Sequence, residues 1–270
     1  MLEGIQTYNV LNKGVCIAMD VNTGAIKAMV TSPGYDLNAP YTLPEADQKM
    51  IESLPERDQA RAESEALSAM WRNKAVADTY MPGSVFKMCT ASMALEEGKS
   101  NDDSTFICNG SIVIKDKEIH CHTLAGHGVE DFTLAICNSC NPAFIQIGQL
   151  VGMQKFRDYY KGFGFADKTG IDLPGESGSA FWDKDAFAFT DLMVASFGQN
   201  FEISPIQQVM AVTTVANGGY LMTPYLVREV QDSSGNTLKT YRAETRRQVV
   251  STETAQTVAA ILEDGVSGDG

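Results

Sequence analysis

From Ser84 to Glu97 the apolar side chains Val85, Phe86, Met88, Cys89, Ala91, Met93, Ala94 and Leu95 fall on nearly every face of a helix. Met81-Pro82-Gly83 punctuates the chain ahead of this run, and Gly98 stands in the C′ role behind it. A helix that is apolar all round is a buried helix, so the rest of the chain must supply a core to enclose it. The methionines in this run read as core filler. With 270 residues, 44% of them hydrophobic and 20% charged, the chain can do so without staples. At that size about three quarters of the unfolded surface is buried on folding. Length allows about one or two domains. No internal repeat, low-complexity tract or evident linker divides the sequence, so a single domain over 1–270 is the simpler expectation.

Around the central helix the pattern alternates hairpins and helices. Gly14–Asp20 and Ala25–Val30 are short apolar runs on either side of Asn22-Thr23-Gly24, which predicts a β-hairpin. Ile112-Val113-Ile114, a charged turn at Lys115–Glu118 and a run from Ile119 predict a second one. Residues 45–70 carry a thin apolar stripe (Ile51, Leu54, Ala62, Ala66, Leu67) and predict a mostly solvated helical segment broken at Pro55. Further helices are expected at 131–138, 142–151, 153–162, near 205–216 and at 252–263. Strands are expected at 225–231 and 237–242, and a Gly- and Pro-rich loop from Gly162 to Gly178.

Charge and composition remove several functions. Lys and Arg number 21 against 34 Asp and Glu, a net charge of −13, whereas nucleic-acid binders present a basic face. No run of about 18 apolar residues occurs, so nothing in the stretch spans a bilayer as a helix. Met1-Leu2-Glu3-Gly4 lacks the basic and apolar regions of a secretory signal. Either the protein is cytosolic, or any anchor and signal lie outside this stretch. Six cysteines in 270 residues are too sparse for a disulfide scaffold, and the count does not fix the redox compartment.

The chemistry concentrates at Ser84-Val85-Phe86-Lys87. Residues three apart on a helix share a face, so the Ser84 hydroxyl and the Lys87 amine can meet. At the head of a helix, free N–H groups and the positive dipole end favour negative charge. A serine there can attack an acyl carbon while its own N–H helps hold the developing oxyanion. A lysine inside a buried helix has a lowered pKa and can accept the proton. Taken alone, the spacing is better explained by a helix cap and a snorkelling lysine.

Its surroundings change that weighting. Met81-Pro82-Gly83-Ser84-Val85-Phe86-Lys87, preceded by Arg72-Asn73-Lys74-Ala75, resembles the active-site serine region of penicillin-binding proteins. Gly126-His127-Gly128 leads into Ser139-Cys140-Asn141, which is similar to the family's Ser-x-Asn motif. Gly164 through Ile171-Asp172-Leu173-Pro174-Gly175-Glu176 resembles the loop after a family helix. Gly198-Gln199-Asn200, Ser204-Pro205-Ile206-Gln207 and Asn217-Gly218-Gly219 resemble a late helix and its flanks. The likeness covers essentially the whole chain and is greatest to the monofunctional, class B transpeptidases.

The resemblance implies an α+β fold (an α/β sandwich), with an antiparallel sheet flanked by helices and a largely helical lobe carrying Ser84. It implies Ser84 as nucleophile, Lys87 as proton acceptor, Ser139 as proton relay and Asn141 as a ligand of the substrate amide. On capping grounds alone, Pro142 suits the first helical position and Asn141 the N-cap. The implied reaction is D,D-transpeptidation of peptidoglycan stem peptides ending in D-Ala-D-Ala, with acylation by β-lactams. The implied partners are cell-wall synthesis machinery, and the implied location is the extracytoplasmic face of the bacterial membrane. Lys168-Thr169-Gly170 spells the family's third motif but stands in a predicted loop directly before Ile171, so it receives no catalytic role. The sequence stops at Gly270, about where the family's Lys-Thr/Ser-Gly strand approaches, so that strand is expected to be missing from this stretch. A β-lactamase, a carboxypeptidase, a β-lactam sensor and a non-catalytic zinc-stabilised wall-binding module stand as alternatives.

All three histidines and four of the six cysteines fall within residues 108–140. Tetrahedral zinc takes four N/S ligands, and Cys108, Cys121, His127 and Cys140 form the preferred quartet. Some transpeptidases of this family resemble it in carrying zinc beside the Ser-x-Asn loop. A Cys108–Cys121 disulfide and unpaired buried thiols remain open, while His120 and His122 are expected as exposed strand residues. Bound zinc at Cys140 would tie Ser139 and Asn141 to the second hairpin.

Overall fold

A computed structural model of the chain describes residues 2–8, 13–178 and 187–267. Helix α1 covers Leu2–Thr7, and strands β1 (Gly14–Met19) and β2 (Ile26–Ser32) pair antiparallel across the Asn22-Thr23-Gly24 turn. Pro44 and Pro55 precede α2 (Glu45–Glu52) and α3 (Glu56–Trp71), so the break at Pro55 separates two helices. No side chain of α3 is buried, in keeping with its thin apolar stripe. Short α4 (Lys74–Ala77) starts at Asn73, whose side chain accepts from the Ala75 N–H.

The buried helix begins later than its sequence suggests. Gly83–Phe86 is a 3₁₀ turn, and α5 runs from Lys87 to Glu96. Ser84 is therefore held in a tighter turn ahead of the α-helix and not in the helix's own first turn. In a 3₁₀ turn residues i and i+3 eclipse, so Ser84 and Lys87 still share a face. Residues Lys87 through Ala94 of α5 are all buried, and Gly98 ends the helix in the left-handed region, φ +58°.

Strands β3 (Thr105–Cys108), β4 (Ser111–Ile114), β5 (Lys117–His120) and β6 (Gly128–Asp131) follow. β4 and β5 form the second hairpin, while β3 pairs antiparallel with β6, Cys108 opposite Gly128. Helices α6 (Phe132–Cys137), α7 (Asn141–Val151) and α8 (Met153–Gly162) come next, then α9 (Phe189–Ala195) and α10 (Pro205–Ala216). The chain closes with β7 (Tyr220–Met222), β8 (Glu229–Gln231), β9 (Thr237–Thr240), β10 (Thr245–Gln248) and α11 (Thr252–Ser267). β7 pairs with β10 and β8 with β9, both antiparallel, and a single bridge from Ala25 to Tyr225 links the first hairpin to the late strands. The result is an α+β fold.

Two cores set the site. The larger surrounds α5 and α7 with residues of α6, α8, α9, α10 and α11. At its heart Phe86 is fully buried, its ring 4.8 Å from that of Phe201 and 5.3 Å from that of Phe165. This aromatic packing pins the residue two past Ser84. The smaller core packs Ala75 and Val76 of α4 and Ile206 and Met210 of α10 against the inner side of the first hairpin.

Candidate active site

Ser84 is exposed and Lys87 is 4% exposed, one turn apart. The turn that presents Ser84 is braced from behind: the Gly83 N–H donates to Gly198 O at 2.9 Å. Gly198 has φ +82°, and a Cβ there would stand 2.0 Å from Gly83 O. The two backbones touch because neither residue has a side chain to keep them apart. Among the described residues Ser84 Oγ has no hydrogen-bond partner, and the residue is exposed.

Lys87 reaches the other way. Its Nζ donates to Ser139 Oγ at 2.9 Å, to Ser139 O at 2.6 Å and to Asn141 Oδ1 at 2.8 Å, and stands 5.4 Å from the centre of the Phe144 ring. Burial lowers its pKa from 10.5 to about 8, against a smaller upward pull from the Cys140 and Cys121 thiols. The Asn141 Nδ2 donates to His120 O at 3.2 Å, which fixes the amide against β5. A cavity of about 550 Å³ opens onto Ser84, Ser139 and Asn141, with His122, Leu134, Cys137, Asn138 and Gly265 completing its wall.

The junction of α6 and α7 explains how three consecutive residues serve two sites. The Ser139 N–H donates to Ile136 O and the Cys140 N–H to Ala135 O, the pair of bonds that closes a Schellman motif. Ser139 takes the left-handed C′ position, φ +48°, where glycine is usual. Cys140 is then the N-cap of α7, with Asn141 and Pro142 the first two helical residues. Asn141 is thus one position inside the helix and is not its cap, because the tight αL turn leaves no residue between Ser139 and the N-cap. Ser139 and Asn141 face Lys87, while the side chain of Cys140 between them joins a different cluster.

That cluster is Cys108, Cys121, His127 and Cys140, whose ligand atoms all lie within 4.8 Å of one another. The three thiols are buried and free. Cys121 Sγ is 3.7 Å from His127 Nδ1, close to the edge of about 3.5–3.8 Å that tetrahedral zinc bonds to sulfur and nitrogen require. Three soft sulfurs, one imidazole and this spacing fit zinc. Gly126 makes the approach possible, since a Cβ there would fall 2.3 Å from Cys108 O. At Cys108 burial opposes ionisation. Hydrogen bonds from the Gly110 and His127 backbone and from the Cys140 and Cys121 thiols outweigh it, and the thiol pKa is lowered. Burial and the neighbouring Glu130 carboxylate raise that of Cys140.

His120 is an exposed strand residue, but His122 lies in the bend beyond β5, where the chain turns toward His127, and it lines the Ser84 cavity. Glu130, the one buried residue of β6, and Asn138 are neighbours of the site that no motif marked. Lys168-Thr169-Gly170 stands in a loop. Glu176 accepts the Thr169 and Gly170 N–H groups there, and Arg246 donates to Lys168 O and Thr169 O. None of the three lines the Ser84 cavity.

The penicillin binding protein transpeptidase domain model matches residues 14–270, and the chain belongs to that family. Stage V sporulation protein D of Bacillus subtilis is 36% identical over 255 residues, which cover 94% of this chain and 36% of that protein. The chain therefore spans little more than a third of that relative's length. The D,D-transpeptidase domain of a peptidoglycan glycosyltransferase from Eggerthella lenta is similar with a TM-score of 0.79 at 26% identity, over 98% of this chain and 64% of that one. Penicillin-binding protein A of Mycobacterium tuberculosis, as its penicillin G acyl-enzyme complex, is similar with a TM-score of 0.75 at 25% identity, over 94% of this chain and 57% of that one.

Proposed function

We propose that the protein is a serine D,D-transpeptidase of peptidoglycan cross-linking, of the monofunctional class B type, working through an acyl-enzyme at Ser84. The observation that carries this reading is the buried amine of Lys87, tied to both Ser139 and Asn141 beside an exposed and unpartnered Ser84. The penicillin G acyl-enzyme of the Mycobacterium tuberculosis relative supports the same chemistry.

In the first half-reaction Ser84 Oγ bonds to the carbonyl carbon of the penultimate D-alanine, and the C–N bond to the terminal D-alanine breaks. The hydroxyl proton passes to neutral Lys87 and, through Ser139 Oγ, to the departing amine nitrogen. The Ser84 N–H, at the head of the 3₁₀ turn, helps hold the oxyanion. Asn141, fixed by Lys87 and His120, offers its remaining amide hydrogen to the substrate. In the second half-reaction an amine of a neighbouring stem peptide bonds to the same carbon. The C–O bond to Ser84 then breaks, and the amine's proton returns to Ser84 Oγ by the same relay.

Cys108, Cys121, His127 and Cys140 form a structural zinc site in this reading. Bound zinc would hold the thiolates as a rigid node and so preorganise the loop that carries Ser139 and Asn141. Because the substrate is cell-wall peptide, the protein works at the extracytoplasmic face of the bacterial membrane, alongside cell-wall synthesis machinery. No helix among the described residues is long and apolar enough to cross a membrane.

Mass spectrometry after exposure to penicillin G tests the core claim: one adduct is expected, on Ser84, and absent from S84A. An adduct that persists in S84A overturns it. Fast release of hydrolysed drug selects a β-lactamase instead, and stem-peptide binding with no acylation selects a wall-binding module. Metal analysis of protein purified without chelators tests the zinc site, with a stoichiometry near zero removing it.

A further inference from the structure

Two cavities share the walls of the Ser84 turn. The smaller, of about 550 Å³, opens onto Ser84, Ser139 and Asn141. The larger, of about 920 Å³, is lined by Met81, three residues ahead of Ser84, and by Asn200, two residues past the Gly198 that touches Gly83. Strand β5 also serves both: Lys117 and Ile119 line the larger cavity, and His122 beyond the strand's end lines the smaller. Each volume suits a small-molecule or peptide ligand. None of the groups assigned above to the first half-reaction lines the larger one.

Its lining has a direction. Met81, Ile119 and the buried Phe201 give it an apolar base. The carboxylates of Asp191 and Glu202 stand on the wall tied to the Ser84 turn. Glu202 accepts from the Thr79 hydroxyl, Asp191 accepts from Asn200 Nδ2 at 2.9 Å, and Ile203 bridges to Tyr80. Lys115 and Lys117, on either side of Asp116, come from the turn of the β4–β5 hairpin. Both lysines are exposed and have no ion-pair partner among the described residues. β5 meets the catalytic loop at His120 O, so Lys117 stands about 10 Å back along the strand. Among the described residues three non-glycines take left-handed backbone: Lys115 (φ +55°), Ser139 (φ +48°) and Asn200 (φ +66°). Ser139 lines the Ser84 cavity, and the other two line the larger one. Backbone held in a sparsely populated region gathers at functional sites.

We propose that the larger cavity is the acceptor site. It takes the second stem peptide with the amine end toward Ser84 and the carboxylate end toward the hairpin turn. The inference rests on the transpeptidase reading given above. Asp191 and Glu202 draw in the peptide's ammonium, and Lys115 and Lys117 pair with its carboxylates. Once the ammonium has given one proton to solvent, its nitrogen bonds to the acyl carbon. The C–O bond to Ser84 breaks, and a second proton from that nitrogen returns to Ser84 Oγ through the relay. A transpeptidase must favour this amine over water, and a held amine does so by its raised effective concentration.

The test follows the acyl-enzyme of the full-length protein, formed from a depsipeptide donor, as it partitions between water and an added acceptor. The partition does not depend on how fast the acyl-enzyme formed. The acceptors are stem tripeptides ending in L-lysine or meso-diaminopimelate, each with its carboxylates free or amidated. Wild type should give an aminolysis product that saturates with acceptor. K117Q and E202Q should each raise the half-saturating acceptor concentration about tenfold, the loss of one charge-assisted contact. With amidated acceptors K117Q should cost less than about twofold, while E202Q keeps its effect. Melting curves set a temperature at which both variants are fully folded. A half-saturating concentration within twofold of wild type in either variant overturns the inference. So does an equal K117Q penalty for free and amidated acceptors. Wild type that forms the acyl-enzyme but only hydrolyses it overturns the acceptor site and leaves the serine chemistry standing. No acyl-enzyme at Ser84 overturns both.

Discussion

Lys87 Nζ donates to Ser139 Oγ at 2.9 Å, across 52 residues of sequence. The amine that the Ser-x-x-Lys spacing pairs with Ser84 is therefore held, before any substrate arrives, by the loop that follows α6. Substituting K87M keeps the length and removes the charge. Acylation by penicillin should fall by about 10²–10⁴-fold, the range of a general base. Unfolding free energy should change by no more than about 1–2 kcal/mol, since the desolvation cost of the ammonium disappears with its hydrogen bonds. Stopped-flow acylation and urea unfolding on one preparation check both halves, and a K87M enzyme that acylates at the wild-type rate refutes the assignment.

Burial holds the Lys87 pKa near 8, well below the usual 10.5. The ammonium form cannot accept the Ser84 proton, and each pH unit below the pKa lowers the neutral fraction about tenfold. The acylation rate constant should thus rise about tenfold per unit through the neutral range and level off above about pH 8. A pH series with a pH-insensitive β-lactam measures it. A rate that is flat from pH 6 to 9, or that falls with rising pH, contradicts Lys87 as base.

Ser139 occupies a left-handed backbone position with φ +48°, and glycine fits such positions without the Cβ penalty. S139A and S139G both lose the hydroxyl that Lys87 holds, but only the alanine keeps the strain. S139G should be more stable than S139A by about 1 kcal/mol, while both acylate poorly. Equal stabilities in a denaturant titration would mean that the turn relaxes once the hydroxyl is gone.

Gly198 lies against Gly83 so closely that an added Cβ would stand 2.0 Å from a backbone oxygen, and its φ of +82° disfavours any other residue. G198A should cost about 2–3 kcal/mol or more and push the Gly83–Phe86 turn outward. Acylation should fall even at temperatures where the variant is fully folded, because Ser84 moves relative to Lys87. Circular dichroism melting and acylation below the transition separate the two effects.

Much of the framework was legible from short-range pattern. The proline break at Pro55, the Asn22-Thr23-Gly24 turn and the Lys115–Glu118 turn each mark elements that form where expected. Two boundaries next to the chemistry were not. The helix starts at Lys87 and not Ser84 because Gly83 is bonded to Gly198, a contact over more than a hundred residues that no capping rule contains. Asn141 falls inside α7 because Cys140 is at once the end of one helix's closing motif and the cap of the next. The four residues of the Cys/His cluster were readable from their types and their crowding in 108–140. Glu130 was not, since a lone glutamate on a short strand reads as solvated until its burial is seen.

Periodicity, turn residues and the i, i+3 spacing act within a few residues, so the sequence by itself determined that a buried helix would follow a serine and a lysine sharing one face. It also determined which donor types are available near Ser139. Tertiary structure alone decided that the lysine would reach the Ser139 loop, that the β3–β6 ladder and the hairpin beside it would bring four ligand atoms together, and that a carboxylate would be sealed in next to them. Those outcomes depend on packing between segments tens of residues apart, where the balance of buried area, hydrogen bonds and backbone clearance belongs to the whole fold and to no local stretch of it.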